Sequence, residues 1–123
     1  MKVFKVPAVD DEWLSVSNAL NEAFRFTQTA AIAGEHVVYL VHNDDLLGRR
    51  GAGAAMVACG LLSAARSAAL EGVKNGWRIN VLATEDNTDP GLLEAWLDAL
   101  HRTGGPTGEL VHLGPSHLGK ALP

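Results

Sequence analysis

Residues 36–42, HVVYLVH, form a continuous apolar and largely β-branched run, without the polar alternation that marks a strand open to water on one side. A strand of that kind needs cover on both faces, and the sequence around it supplies helices. Upstream, Trp13, Val16, Leu20, Phe24 and Thr27 fall at spacings of three and four, which stacks side chains on one face of a helix. Asp10 and Asp11 stand where an N-cap and an acidic first turn belong, and Gly34 closes the segment, so a helix is predicted over residues 11–32. Downstream, the loop NDDLLGRRG leads into a second long helix, predicted over residues 51–73 and stopped by Asn75 and Gly76.

The remaining elements repeat the alternation. Strands are predicted over residues 2–6, closed by Pro7, over 78–83 and over 109–113, with a third helix over 90–102 that starts on a proline. Strand and helix in strict succession argue for one parallel sheet with covering helices. The 123 residues contain no repeat, low-complexity tract or linker and read as one domain.

Composition narrows the function classes. Hydrophobic residues at 47% and charged residues at 20% are ordinary for a soluble globular chain, and no apolar run approaches the roughly 20 residues of a membrane span. The start, MKVFKVPAVDDEW, lacks the apolar core of a secretory signal, and the single Cys59 cannot form an internal disulfide; both point to the cytoplasm. A net charge of −4 with scattered basic residues offers no stripe for a phosphate backbone, so nucleic acid is not an expected partner.

The succession DDEW, AFRFTQTAA, EHVVYLVH, GAGAAMVACGLLSAARSAALEGVKNGWRINVLA and TGELVHLG resembles the C-terminal half of the short-chain dehydrogenase/reductase family over nearly the whole chain. Its most specific part is residues 63–83, where Glu71, Gly76, Arg78 and Asn80 match the family pattern; residues 27–31 and 107–114 match more weakly. The resemblance implies an α/β, truncated Rossmann-like three-layer fold of about four parallel strands ordered as in the chain, with helices on both faces. It places the first two helices on one face and the third on the other, against the handedness rule for parallel crossovers.

Aligned from Asn80 without a gap, the family's Tyr-x-x-x-Lys falls on Ala54 and Ala58, and its helical Asn falls on Ala19, with Asn18 one residue away. The family's Ser would lie near residues 41–43, which hold no hydroxyl group. In the family the Tyr is the general acid/base and the Lys lowers its pKa and holds the nicotinamide ribose; alanine has neither proton nor charge to give. No catalytic residue is therefore expected, and no cofactor. The family's glycine-rich phosphate loop follows the first strand of the complete fold, whereas this sequence starts at about the fourth. Gly48, Gly51 and Gly53 are spaced G-x-x-G-x-G, which fits neither usual dinucleotide pattern and reads as a plain loop.

Other candidates read blandly. His36, His42, His112 and His117 lack metal spacing and suit surface or strand-end roles. Cys59 has no neighbouring cation and reads as an inert buried thiol. Arg49 and Arg50 read as solvated and neutralised by Asp44 and Asp45, and Trp13, Trp77 and Trp96 as core or interface anchors.

In the resembling family, the two helices matching residues 11–32 and 51–73 pack against the same pair from another subunit. Here Ala52, Ala55, Cys59, Ser63 and Ser67 lie on or near one stripe suited to close helix contact, either with a partner or with the chain's own sheet. The expected function is that of a pseudoenzyme: a catalytically inactive subunit with a structural or regulatory role in a homo- or hetero-oligomer, a full-length active reductase being a candidate partner. A small-ligand binder or atypical oxidoreductase of the same family, using the tail or the NDDLLGRR loop, is the alternative.

Overall fold

The computed structural model describes residues 1–115, so His117 lies outside the described residues. The elements are β1 (Lys2–Lys5), α1 (Trp13–Ile32), β2 (Val37–His42), α2 (Asn43–Leu46), α3 (Ala52–Glu71), β3 (Ile79–Thr84), α4 (Pro90–Arg102) and β4 (Leu110–Leu113). The four strands make one parallel sheet in chain order, with Lys2 opposite Val37, Val37 opposite Ile79 and Val81 opposite Leu110.

The predominantly apolar character of β2 and β3, broken inside by Asn80, follows from two separate cores. Val37, Tyr39, Val41, Ile79, Val81 and Ala83 pack under α1 and α3 with Val57, Leu61 and Leu62. The alternate residues Val38 and Leu82 pack with Leu100 of α4 and Leu113 on the other face. Successive strand side chains point to opposite faces, so cover on both faces keeps polar residues out of the strand interiors except Asn80, which is hydrogen-bonded where it is buried. Because the strands advance in one direction while α4 lies opposite α1 and α3, the third crossover has the opposite hand to the first two. Right-handed connections account for nearly all parallel crossovers, which makes this third one a distinctive feature of the fold.

Several local expectations are corrected. Helix α1 begins at Trp13, and neither aspartate caps it: Glu12 is the N-cap residue without a side-chain bond. The Asp11 Oδ1 instead accepts the Gly53 backbone N–H at 2.8 Å, serving the N-terminus of α3. At Gly53 a Cβ would stand 2.0 Å from the Asp10 carbonyl oxygen, so the absence of a side chain is what lets the two helix starts meet. The buried side of α1 is made by Val16, Ala19, Ala23 and Ala30, whereas Trp13 and Phe24 face solvent. Small residues let α1 lie close to α3 and leave no space for the large rings beneath it. Trp96 is likewise exposed, so Trp13 and Trp96 are not core anchors, whereas Trp77 is half-buried and packs against the backbone at Gly72. Cys59 is exposed rather than buried, because it stands opposite the side of α3 that meets the sheet. His36 is buried, beneath the C-terminal end of α4. The NDDLLGRRG loop contains the short helix α2, started by His42, whose Nδ1 accepts the Asp44 N–H at 3.0 Å.

Helix α3 has the length and mean hydropathy, 1.4, of a membrane span, contrary to the expectation that no apolar run approaches one. Its apolarity has a local cause: Val57, Leu61, Leu62, Ala65 and Ala69 are buried within the fold, and the exposed side mixes Met56 and Leu70 with small and polar residues.

Candidate functional site

In parallel α/β sheets, ligands sit in crevices beyond the carboxyl ends of the strands, where loops diverge. At that edge a crevice of about 380 Å³ is lined by Val6, Pro7, Leu40 and Ala54, with Lys5, His42, Asp45, Arg50 and Thr84 as its polar groups. These come from the ends of β1, β2 and β3, from α2 and from the start of α3. Asp45 takes a two-pronged bond from Arg50, at 2.8 and 2.9 Å. That pairing raises the affinity of the guanidinium for its proton, chiefly through the hydrogen bond. Arg49 approaches Asp44 at 3.4 Å. Both arginines are thus neutralised by the aspartates that sequence spacing singled out.

His42 is engaged at both ring nitrogens. Because its Nδ1 accepts a backbone N–H, its Nε2 carries the proton and donates to Asp86 Oδ1 at 2.9 Å. A general base needs a free nitrogen aimed at its substrate; in this arrangement His42 instead ties the β3 end to α2. Sequence reading missed the pair because Asp86 is distant in the chain and only sheet register brings it to His42. Among the described residues, no cluster of three His, Cys, Asp or Glu side chains has metal-holding geometry.

The positions aligned with the family's reactive residues separate. Ala54 lines the crevice, whereas Ala58 and Ala19 are packed in the core under α1 and α3. Asn80 and Arg78, which carry the most specific part of the resemblance, are structural. Asn80 is fully buried and bonded to the Pro106 carbonyl and the Glu109 N–H; Arg78 donates to the carbonyls of Leu100 and Thr103.

A second feature lies between α1 and α3 and reaches down to Tyr39 of the sheet. A groove of about 580 Å³ runs between these helices, walled by Leu20, Phe24, Ala31, Gly60 and Ala64, with Tyr39 and Thr27 among its lining residues. Large apolar side chains of the two helices stand exposed, Phe24 at 67% and Ile32 at 82% in the groove lining and Leu14 at 70%, Met56 at 53% and Leu70 at 78% elsewhere on α1 and α3. Of the small residues expected at an interface, Ala52, Cys59, Ser63 and Ser67 are exposed and Ala55 is half-buried. The stripe therefore does not pack on the chain's own sheet. The larger apolar residues beside it went unrecognised in the sequence because their exposure depends on which side of each helix the sheet occupies.

No known family model matches the chain, and no curated protein is significantly similar to it.

Proposed function

We propose that this chain is a non-catalytic, cytoplasmic subunit related to the short-chain reductases, which assembles through the outer faces of α1 and α3. The observation that carries the assembly is the exposure of five large apolar side chains, Leu14, Phe24, Ile32, Met56 and Leu70, on two adjacent helices. Monomeric soluble proteins seldom leave so many large apolar groups in water. The relationship to reductases is supported by the opposite-hand third crossover, which the resemblance leads one to expect, and by the Arg78 and Asn80 positions. The non-catalytic role is supported by alanine at positions 19, 54 and 58 and by the engagement of both His42 nitrogens.

Sedimentation velocity tests the assembly. The purified chain, or its mixture with a co-expressed full-length reductase, should sediment above monomer mass, and Met56→Glu with Leu70→Glu should return it to monomer. A monomer in both preparations would overturn the proposal.

The alternative of a small-ligand binder is favoured by one observation, the crevice bearing Lys5, His42 and Arg50. Saturable quenching of tryptophan fluorescence by a nicotinamide dinucleotide, lost in Lys5→Ala, would support that reading over the first.

A further inference from the structure

We propose that the groove between α1 and α3 binds a small apolar cation, an aliphatic or aromatic amine whose body lies along the groove and whose ammonium group meets Glu71. The proposal goes beyond the assembly reading and does not rest on it, since Leu14, Met56 and Leu70 lie outside the groove lining.

The first argument is shape. A cavity of about 580 Å³ has the size of pockets that hold small molecules. Its lining follows α3 from Gly60 to Glu71, about 16 Å at the helical rise. Leu20, Phe24, Ile32 and Leu61 wall it with uncharged surface, so burying a ligand's hydrocarbon supplies the attraction.

The floor of the groove selects against anions. Tyr39 is 2% exposed, and its hydroxyl donates to Thr27 Oγ1 at 2.6 Å while Thr27 donates to the Ala23 carbonyl. Both protons are thus committed. The Tyr39 oxygen keeps accepting capacity that no donor among the described residues takes up. An anion would meet that oxygen lone pair to lone pair, whereas a group bearing an N–H is matched by it.

Charge places the head group. Glu71 is the one charged residue in the lining, and it makes no ion pair among the described residues. It ends α3, and Ile32, which ends α1, lines the same groove. The negative dipole ends of two helices therefore meet here, and neither helix carries a basic residue in its last turn. Lys74 in the following turn does not line the groove. Trp77 does, with its side chain against Gly72 next to Glu71, and an indole face attracts a cation as well.

Fluorescence of Trp77 reads the site directly. In a Trp13→Phe, Trp96→Phe background it is the sole tryptophan, and titration with decylamine should change its emission saturably. Decylamine should bind about tenfold more tightly than decanol, and decanoate more weakly than either. Glu71→Gln should weaken decylamine about three- to fivefold, the range of an exposed ion pair, and leave decanol unchanged. Ala64→Phe, which fills the groove, should abolish binding of both while the helical circular dichroism persists. Met56→Ser with Leu70→Ser removes exposed groups that serve the assembly and should leave decylamine affinity unchanged. A loss of binding in that variant would place the probe between copies and overturn the groove as its site. Decanoate binding as tightly as decylamine, or unchanged amine affinity in Glu71→Gln, would overturn the cationic ligand. No saturable binding by any of the three probes would overturn the site and leave the assembly reading standing.

Discussion

His36 Nε2 lies 3.0 Å from the Asn80 side-chain nitrogen, joining the start of β2 to β3 in the buried interior. Asn80 Nδ2 also donates to the Pro106 carbonyl, so it is the donor to His36, whose Nε2 must accept. The His36 Nδ1 then carries the proton and donates to the Leu100 carbonyl at 3.1 Å. This tautomer satisfies both contacts. Burial, reinforced by the Arg78 charge, lowers the His36 pKa from 6.5 to about 4. Because the folded pKa is depressed, the neutral ring's contribution is complete above pH 6.5 and is lost as pH falls from 6.5 toward 4. A shift of that size corresponds to roughly 3 kcal/mol. Denaturant unfolding at stepped pH should show wild-type stability falling through this window more steeply than that of His36→Gln. Equal slopes would mean that His36 is not held neutral by the fold.

The meeting of the two helix starts gives a second expectation. Gly53→Ala places a methyl group against backbone at Asp10, which cannot swing aside as a side chain can. The substitution should cost about 1 to 3 kcal/mol through overpacking. Asp11→Ala removes the bond to the Gly53 N–H and should cost about 0.5 to 2 kcal/mol, the range of a lost N-terminal cap. Thermal unfolding would rank them, and a fully stable Gly53→Ala protein would contradict the close approach.

The two positions aligned with the family's Tyr and Lys should respond differently to restoration. Ala54→Tyr projects into the crevice and should fold normally. Ala58→Lys places an ammonium at a site only 1% exposed and should destabilise by several kcal/mol, relieved in part as rising pH neutralises the amine. Urea midpoints at neutral and alkaline pH decide it: equal stability of the two variants would show that position 58 has access to water.

Within the groove, Thr27 Oγ1 donates to the Ala23 carbonyl at 2.7 Å and so receives the Tyr39 hydroxyl at 2.6 Å. Tyr39→Phe should cost about 1 kcal/mol, the usual net value of such a bond. A larger loss in chemical denaturation would show that the ring itself has repacked.

What the sequence determined by itself was the order of elements and the parallel sheet. The periods that specify them are local: two apolar faces in residues 37–42, a 3.6-residue repeat in residues 13–32, and proline or glycine at the boundaries. Pro90–Arg102 was legible to the residue because Pro90 and the Asp89 cap are local signals. Only tertiary structure decided which face each helix buried, and this reversed the readings of Phe24 and Cys59. An alanine-rich helix can bury nearly any side, and long-range packing makes the choice. The same reason governs the site: His42 meets Asp86, and Asp11 meets Gly53, across 44 and 42 residues of chain. Local periodicity carries no information about such encounters, which exist only after the sheet has set its register.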